Sequence, residues 1–449
     1  MDNDTIAAIS TAPGRAAVAL VRASGAGVEE IIIRTLGKEL PERRPVLRWL
    51  VHPDSRERVD RVLATYLKAP NSYTGEDMLE LSCHGGPLVP QLVLSALQAA
   101  GARPAQAGEF TRRAYVNGKI DLLQAEAVLD LVDGRTAAQH RAALQQLDRG
   151  LSRRIEELRD AIMRCEALLV YDIDFPEEDD GPVAADRIDQ AAQGVLSGIH
   201  ALLETAAEGE LLREGALTVI AGRPNAGKSS LFNALCGFER AIVTEEPGTT
   251  RDAVEAMVSL GGYPFRLVDT AGLRQSGDRV ESLGIEVARR YLAGADLVLF
   301  CAEAGRALSD EEAGFLAQVA CGSRILVRTK ADLARGRVGC ALDLPEVEVS
   351  TVNGSGLGAL RDLLVQTVFS GGLLPDTEYP LVRRERHARD LRRASVELDS
   401  FLQARSGGVA PEVAATHLRS AAQALEELLG VIAPEDLLAR VFADFCIGK

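Results

Sequence analysis

The chain lacks any run of 18 apolar residues, so no segment reads as a membrane-spanning helix. It also lacks a charged-then-apolar leader at its start, and secretion is not expected. Its seven cysteines include no C-x-x-C pair, which speaks against a zinc ribbon and against a disulfide framework. A reducing, cytoplasmic setting fits that pattern. Positive charge is in deficit: 50 Lys and Arg face 65 Asp and Glu, a formal net charge of −15. A large self-sufficient nucleic-acid surface is therefore not expected. The deficit is uneven, because residues 1–118 carry 14 basic and 13 acidic side chains. No internal repeat is apparent, and aromatics supply only 4% of the residues. Hydrophobic residues still reach 47%, enough for sizeable cores. A chain of 449 residues is too long for one core, so roughly two to four domains are expected.

What is present is more telling. Residues 222–229 read Gly222-Arg223-Pro224-Asn225-Ala226-Gly227-Lys228-Ser229, a G-x-x-x-x-G-K-S phosphate-binding loop. A strand-like run, Leu217–Ala221, precedes it and a helix-like run, Ser230–Leu235, follows. The two glycines let the backbone curl so that N–H groups point at phosphate oxygens, and the helix N-terminus adds its dipole. Lys228 is placed to reach the β/γ-phosphates and the Ser229 hydroxyl to ligate Mg²⁺.

The base is read further along. Asp269-Thr270-Ala271-Gly272 ends a second strand-like run, where an Asp suits the Mg²⁺ site and Gly272 can turn its N–H to a γ-phosphate. Thr329-Lys330-Ala331-Asp332 follows a third strand and matches the guanine tetrad Asn-Lys-x-Asp except at its first position. The Asp332 carboxylate can accept from N1–H and the 2-amino group of guanine, donors that adenine does not offer there. Thr329 stands where an Asn normally braces base and phosphate loop, so weaker affinity with retained guanine preference is expected. Ser350-Thr351, after another strand, resembles the last base-contacting element.

Around this β/α alternation the chain is helical. Apolar spacing predicts one long helical stretch from about 120 to 169 and another from about 186 to 213, separated by the acidic breaker Phe175–Pro182. Further helices are expected at about 381–405, 411–430 and 434–445. In residues 1–118, Ile6–Ser10 and Ala17–Val21 read as strands, and a loop at His84-Gly85-Gly86 opens a helix. The economical reading has four segments. Residues 1–118 form an N-terminal domain, 119–213 the first part of a helical domain, 214–375 an inserted GTPase domain and 376–449 the second helical part.

The termini and the middle together carry a resemblance. The chain ends Cys446-Ile447-Gly448-Lys449, has Ala241–Asp252 after its phosphate-binding loop, and near its start shows Asn71–Asp77, Gly108–Thr111 and Lys119–Ala127. In these segments it resembles the tRNA-modification GTPase MnmE (TrmE) family over essentially its whole length. The resemblance implies a multidomain α/β and all-α fold. Its parts would be an N-terminal α+β folate-binding and dimerisation domain, a helical domain, and an inserted Ras-like P-loop GTPase domain with a doubly wound sheet. It implies GTP hydrolysis coupled, with the FAD-containing partner MnmG, to modification of C5 of the wobble uridine of certain tRNAs. A homodimer and a heterotetramer with MnmG follow. The one-carbon donor would be a tetrahydrofolate derivative, 5-formyl or 5,10-methylene in form.

Residue roles follow from the same resemblance. The nucleotide site would run through Asn225, Ala226, Gly227, Lys228, Ser229 and Ser230. It would continue through Thr244, Glu245, Glu246, Pro247, Gly248, Thr249 and Thr250, and then Asp269–Gly272, Thr329, Lys330, Asp332, Ser350 and Thr351. Asn225 and the carbonyls of Thr244, Glu246 and Thr249 would hold K⁺ in place of an arginine finger. Thr250 would join Ser229 on Mg²⁺, and Glu281 would orient the attacking water. Arg22, Glu80, Lys119 and Lys449 map to the folate site. Cys446 could act as a nucleophile or be a small buried residue. His84 is read as stabilising its turn. A regulatory or ribosome-assembly GTPase would share the phosphate loop but would need neither the folate segment nor the Cys-Ile-Gly-Lys end. A folate-dependent transferase with a decayed GTPase domain is opposed by Lys228, Ser229, Thr250 and Asp269.

Overall fold

The computed structural model describes residues 4–174, 185–238, 254–269, 290–319, 322–334, 336, 342–369 and 380–449. They fall into two compact units, each with its own sheet.

The first unit comprises residues 1–129, 147–159 and 422–449. Its sheet holds β1 (Ile6–Ile9), β2 (Val18–Ser24), β3 (Val46–Val51), β4 (Arg58–Leu67), β5 (Met78–His84) and β6 (Arg103–Pro104), in the order β3-β4-β5-β2-β1-β6. Every pairing is antiparallel except β1 with β6. Helices Val28–Leu36 and Val89–Ala99 bury one face of it: Ile31, Ile32, Val93 and Leu97 pack on Val21, Ala23, Val62, Leu79 and Leu81. The alternating burial along β4 and β5 is the two-residue strand period made physical. The chain's last residues join this sheet unit. Ala107 pairs in a bridge with Ile447, and Phe442 and Phe445 pack with Ala125 and Leu129.

The second unit comprises residues 130–146 and 160–421. Its sheet holds β7 (Ala216–Gly222), β8 (Val254–Leu260), β9 (Tyr263–Asp269), β10 (Leu297–Glu303), β11 (Ser323–Thr329) and β12 (Glu346–Glu348). The order is β12-β11-β10-β7-β9-β8, parallel throughout except for the β8–β9 hairpin at one edge. Strands β7 and β10 are nearly continuous apolar runs, as expected of parallel strands covered on both faces. Two apolar clusters provide that cover. One includes Leu231, Phe232 and Leu364, the other Tyr291, Phe315 and Leu316.

The helical stretches are more broken than their apolar period suggests. The run expected at about 120–169 is three helices, Leu122–Asp133, Ala137–Leu147 and Gly150–Asp174. Two caps explain the starts. Asp121 accepts from the Gln124 N–H at 2.8 Å while the Gln124 amide oxygen accepts from the Asp121 N–H at 3.1 Å. Thr136 and Gln139 repeat the reciprocal arrangement at 3.2 Å each way. Arg149, in the left-handed region at φ 63°, ends the middle segment before Gly150. The stretch expected at about 186–213 likewise divides at Thr205, whose hydroxyl donates to Leu202 O, giving helices Ala185–Glu204 and Ala206–Glu214. The later helices are Glu385–Ser406, Pro411–Leu429 and Glu435–Ala443. The acidic breaker Phe175–Pro182 lies outside the described residues.

Candidate functional site

The strand order of the second unit decides where a ligand sits. Strand β7 lies between β10 and β9, so the connections leave it in opposite directions and open a crevice at its C-terminal end. The loop after β7 turns there into helix Lys228–Phe238, whose first-turn N–H groups face the crevice. Gly222 permits the close approach: with φ +140°, a Cβ built on it would lie 2.4 Å from Cys301 O on β10. Asn225 takes the left-handed conformation at φ 64°, which Asn tolerates better than most residues.

Lys228 is buried, and its ammonium donates to Arg223 O at 2.7 Å, curling across the mouth of its own loop. Exposed Ser229 donates its hydroxyl to the Asp269 carboxylate at 2.7 Å, so the two groups suited to one Mg²⁺ stand together. Their donor set, a hydroxyl and a carboxylate beside a lysine and a helix N-terminus, fits an Mg²⁺–nucleoside phosphate. Ser230 is exposed on the next position of the helix, and Ala226 is buried beneath the loop.

Thr329, at the end of β11, corrects the expectation of a missing brace. Its buried hydroxyl donates to Ala226 O in the phosphate loop at 2.8 Å and lies 3.3 Å from Ala302 O. Its Cβ also lies 3.3 Å from where a Cβ on Gly227 would sit. The loop is therefore tied to the base-reading segment without the Asn. Lys330, at φ 57°, pairs with Glu303, and that bond holds the Glu303 carboxyl below its ordinary value. Asp332 lies exposed in the short 3-10 turn Ala331–Leu333. Buried Ser350 accepts from the N–H groups of Val352 at 3.3 Å and Asn353 at 3.4 Å, shaping the turn that also carries Thr351. Thr244, Glu245, Glu246, Pro247, Gly248, Thr249, Thr250, Thr270, Ala271, Gly272 and Glu281, also expected at this site, lie outside the described residues.

An ion-pair network behind the loop escaped the motif reading. Arg223 reaches Glu311 at 2.5 Å and Glu312 at 3.9 Å. Arg306 meets Glu312 at 2.5 Å, and Ser309 with Glu312 forms a capping box for helix Asp310–Gln318. The Arg306 hydrogen bond holds the Glu312 carboxyl down at about 2. Cys301 is buried behind the loop, and burial pushes its thiol up to about 12, so it is no nucleophile at neutral pH. The Ser309–Glu312 spacing was readable as a cap; the bond from Arg223 to the adjoining Glu311 spans 88 positions and was not.

In the first unit the four residues expected at the folate site divide. Arg22 pairs with Glu80 at 2.9 Å across the directly opposed β2 and β5 positions. A second guanidinium nitrogen of Arg22 donates to Gly448 O at 3.4 Å, and Ser10 donates to the same carbonyl at 3.1 Å. Lys449 O accepts from the Phe110 N–H at 3.2 Å. Arg22, Glu80 and the tail containing Lys449 thus form one cluster within this unit. Gly448 needs its φ of +94°, since a Cβ there would lie 2.6 Å from Ile9 O. Lys119 is bound elsewhere, donating to Pro70 O at 2.9 Å. Cys446 is exposed, which decides against the buried alternative. His84 does not brace its turn. Its ring bonds Asp60 on the neighbouring strand at 2.8 Å.

The chain is similar to known proteins over its whole length. The family described as the MnmE helical domain matches residues 122–446, and that described as the GTP-binding protein TrmE N-terminus matches residues 5–119. A protein named tRNA modification GTPase MnmE from Moorella thermoacetica is 40% identical over 464 residues, covering 100% of both chains. One of the same name from Chloroflexus aurantiacus is 42% identical over 456 residues, again covering 100% of both. Among solved structures, the G domain of the T. maritima FeoB iron transporter is 30% identical, covers 33% of this chain and 96% of that one, and has a TM-score of 0.26.

Proposed function

This chain belongs to the MnmE family, and from that premise we propose that it is a GTP-hydrolysing enzyme of tRNA modification. The observation that carries the reading is one constellation in a chain related end to end: Lys228, Ser229, Asp269 and Thr329 gathered where β7, β9, β10 and β11 end. In it the loop N–H groups and Lys228 would hold the phosphates, Ser229 and Asp269 would attend Mg²⁺, and Asp332 would select guanine. Bound Mg²⁺ would supply charge neutralisation at the β/γ-phosphates. Asn225 and the carbonyls of Thr244, Glu246 and Thr249 would hold K⁺, Thr250 would join Ser229 on Mg²⁺, and Glu281 would orient the attacking water. Residues 214–375 are the inserted GTPase domain, 1–118 the folate and dimerisation domain, and 119–213 with 376–449 the helical domain.

The reaction is addition of an aminomethyl or carboxymethylaminomethyl group at C5 of wobble uridine, carried out with MnmG in a heterotetramer. Methylene-tetrahydrofolate is the one-carbon donor, bound at the cluster of Arg22, Glu80 and the tail that carries Lys449; Lys119, the fourth residue expected there, donates instead to Pro70 O. The Arg22–Glu80–Gly448 cluster supports that placement, since it sets a carboxylate and a guanidinium side by side. A pterin asks for an acceptor for its amino-pyrimidine donors, and its anionic tail asks for a cation. Among the described residues no helix is long and apolar enough to cross a membrane.

GTP turnover in K⁺ and in Na⁺ at equal ionic strength tests the nucleotide half of this reading. Stimulation by K⁺, abolished in Asn225→Ala, is expected. Equal rates in both salts would contradict the cation assignment.

A further inference from the structure

We propose that the outward face of helix Glu385–Ser406 grips the phosphate backbone of the RNA substrate; this rests on the tRNA-modification reading above. The chain as a whole repels a polyanion, with a net charge of −15. Any phosphate contact must therefore come from a local reversal of sign. Residues 383–393 provide one: Arg383, Arg384, Arg386, Arg389, Arg392 and Arg393 stand against Glu385 and Asp390 alone.

The helix sorts these arginines by direction. Its inner face buries His387, Leu391, Ala394, Leu398 and Phe401, which fixes its rotation. Arg383 and Arg384 turn inward and are held by Asp130 at 3.0 and 2.6 Å. Arg386 is mostly buried, 3.7 Å from Asp390. Arg389, Arg392 and Arg393 fall on the opposite side, three and four positions apart, which places them side by side on one helix face. The side chains of Arg389 and Arg392 are 68% and 55% exposed.

The acidic neighbours of Arg389 and Arg392 do not neutralise them. Arg389 is 3.3 Å from Asp390, a carboxylate it shares with Arg386. Arg392 pairs at 2.7 Å with Glu385, itself 66% exposed. The Arg392–Glu385 pair is exposed on both sides and worth little in water, so a phosphate can take the place of Glu385; Asp390 is buried, and Arg389 touches it through Nε while its own side chain stays mostly exposed. The guanidinium fork suits phosphate oxygens in two-bond geometry. Contacts of this kind position a nucleic acid without reading its sequence, so the surface would serve any tRNA the enzyme accepts.

The test is a salt titration of tRNA binding by the full-length protein and by the double variant Arg389→Gln/Arg392→Gln. The variant should bind roughly tenfold more weakly at low salt, and its slope of log K against log salt should fall by about 1.8 for two lost contacts. GTP turnover and thermal unfolding should be unchanged, and Arg389→Lys/Arg392→Lys should restore most of the slope. Unchanged affinity and slope in the Gln variant, with tight binding by the parent, would overturn the surface and leave the tRNA reading standing. Failure of the parent chain to bind tRNA in a salt-dependent way would overturn both. Loss of tRNA binding that the Lys variant does not restore would also overturn a phosphate grip, since charge alone should suffice.

Discussion

Thr329 shows how one side chain can do a neighbour's work. Seen in its tetrad, a Thr for an Asn means a lost amide and a looser loop. In the fold, β11 delivers its hydroxyl within 2.8 Å of Ala226 O. Thr329→Val should therefore weaken GDP binding by about 1–2 kcal/mol, because a buried carbonyl loses its donor, whereas Thr329→Ser should stay close to the parent. Calorimetric GDP titration of the two variants checks this, and equal affinities would contradict the brace. Glu312 makes a second prediction. Its carboxyl sits at about 2 against an ordinary 4.5, held by Arg306. A depressed carboxyl stabilises the fold above its unfolded value, and the gain is lost as pH falls from about 4.5 through about 2. Denaturant titrations across that window should show a smaller loss of stability in Glu312→Gln than in the parent. The grouping of Lys228, Ser229 and Asp269 was legible beforehand because their motifs are local and their chemistry dictates the spacing. The partners of Arg223 and Asp130 were not, since ion pairs between distant segments depend on how strands and helices are brought together.

At the scale of elements, apolar periodicity located helices better than it located their ends. The three-helix run from Leu122 to Asp174 keeps one period across two breaks, so the breaks show only in the capping chemistry of Thr136–Gln139 and in Arg149. Thr205, a weak helix interrupter, is harder still to read in advance, because its back-bond to Leu202 O only bends the path. In the second sheet β7, β9 and β11 were clear, being apolar runs next to phosphate and base motifs, whereas β8 and β10 adjoin no such motif and were not read. The C-terminal tail is the element whose role is most open to test. It is held by the Ala107–Ile447 bridge and by bonds to Gly448 O, and Gly448 has no room for a Cβ. Gly448→Ala should therefore displace the tail and weaken binding of a 5-formyl-tetrahydrofolate probe by roughly tenfold, an interaction worth on the order of 1.5 kcal/mol. GDP affinity should not change, because the phosphate loop belongs to the other compact unit. Paired titrations of both ligands on the one variant decide it; intact folate binding would remove the tail from that pocket.

For the molecule as a whole, a mixed antiparallel sheet and a largely parallel one occupy separate units of a single chain. That division was foreshadowed by the charge balance of residues 1–118 and by the β/α alternation after residue 214. Which helical segments join which unit was not, because the packing of alanine- and leucine-rich helices leaves several partners open. The full-length relationship to MnmE makes the functional claim a statement about the whole chain. With near-neutral charge, residues 1–118 should associate without nucleotide, and light scattering at micromolar protein should return a dimer mass; a monomer mass would contradict it. The central claim is that GTP hydrolysis by this chain is required for wobble-uridine modification. Its most direct test is the nucleoside composition of tRNA from cells lacking the gene, complemented either by the parent chain or by Lys228→Ala. Full C5 modification is expected with the parent and none with Lys228→Ala. Modified wobble uridine in cells that carry only Lys228→Ala, or in cells without the gene, would contradict it.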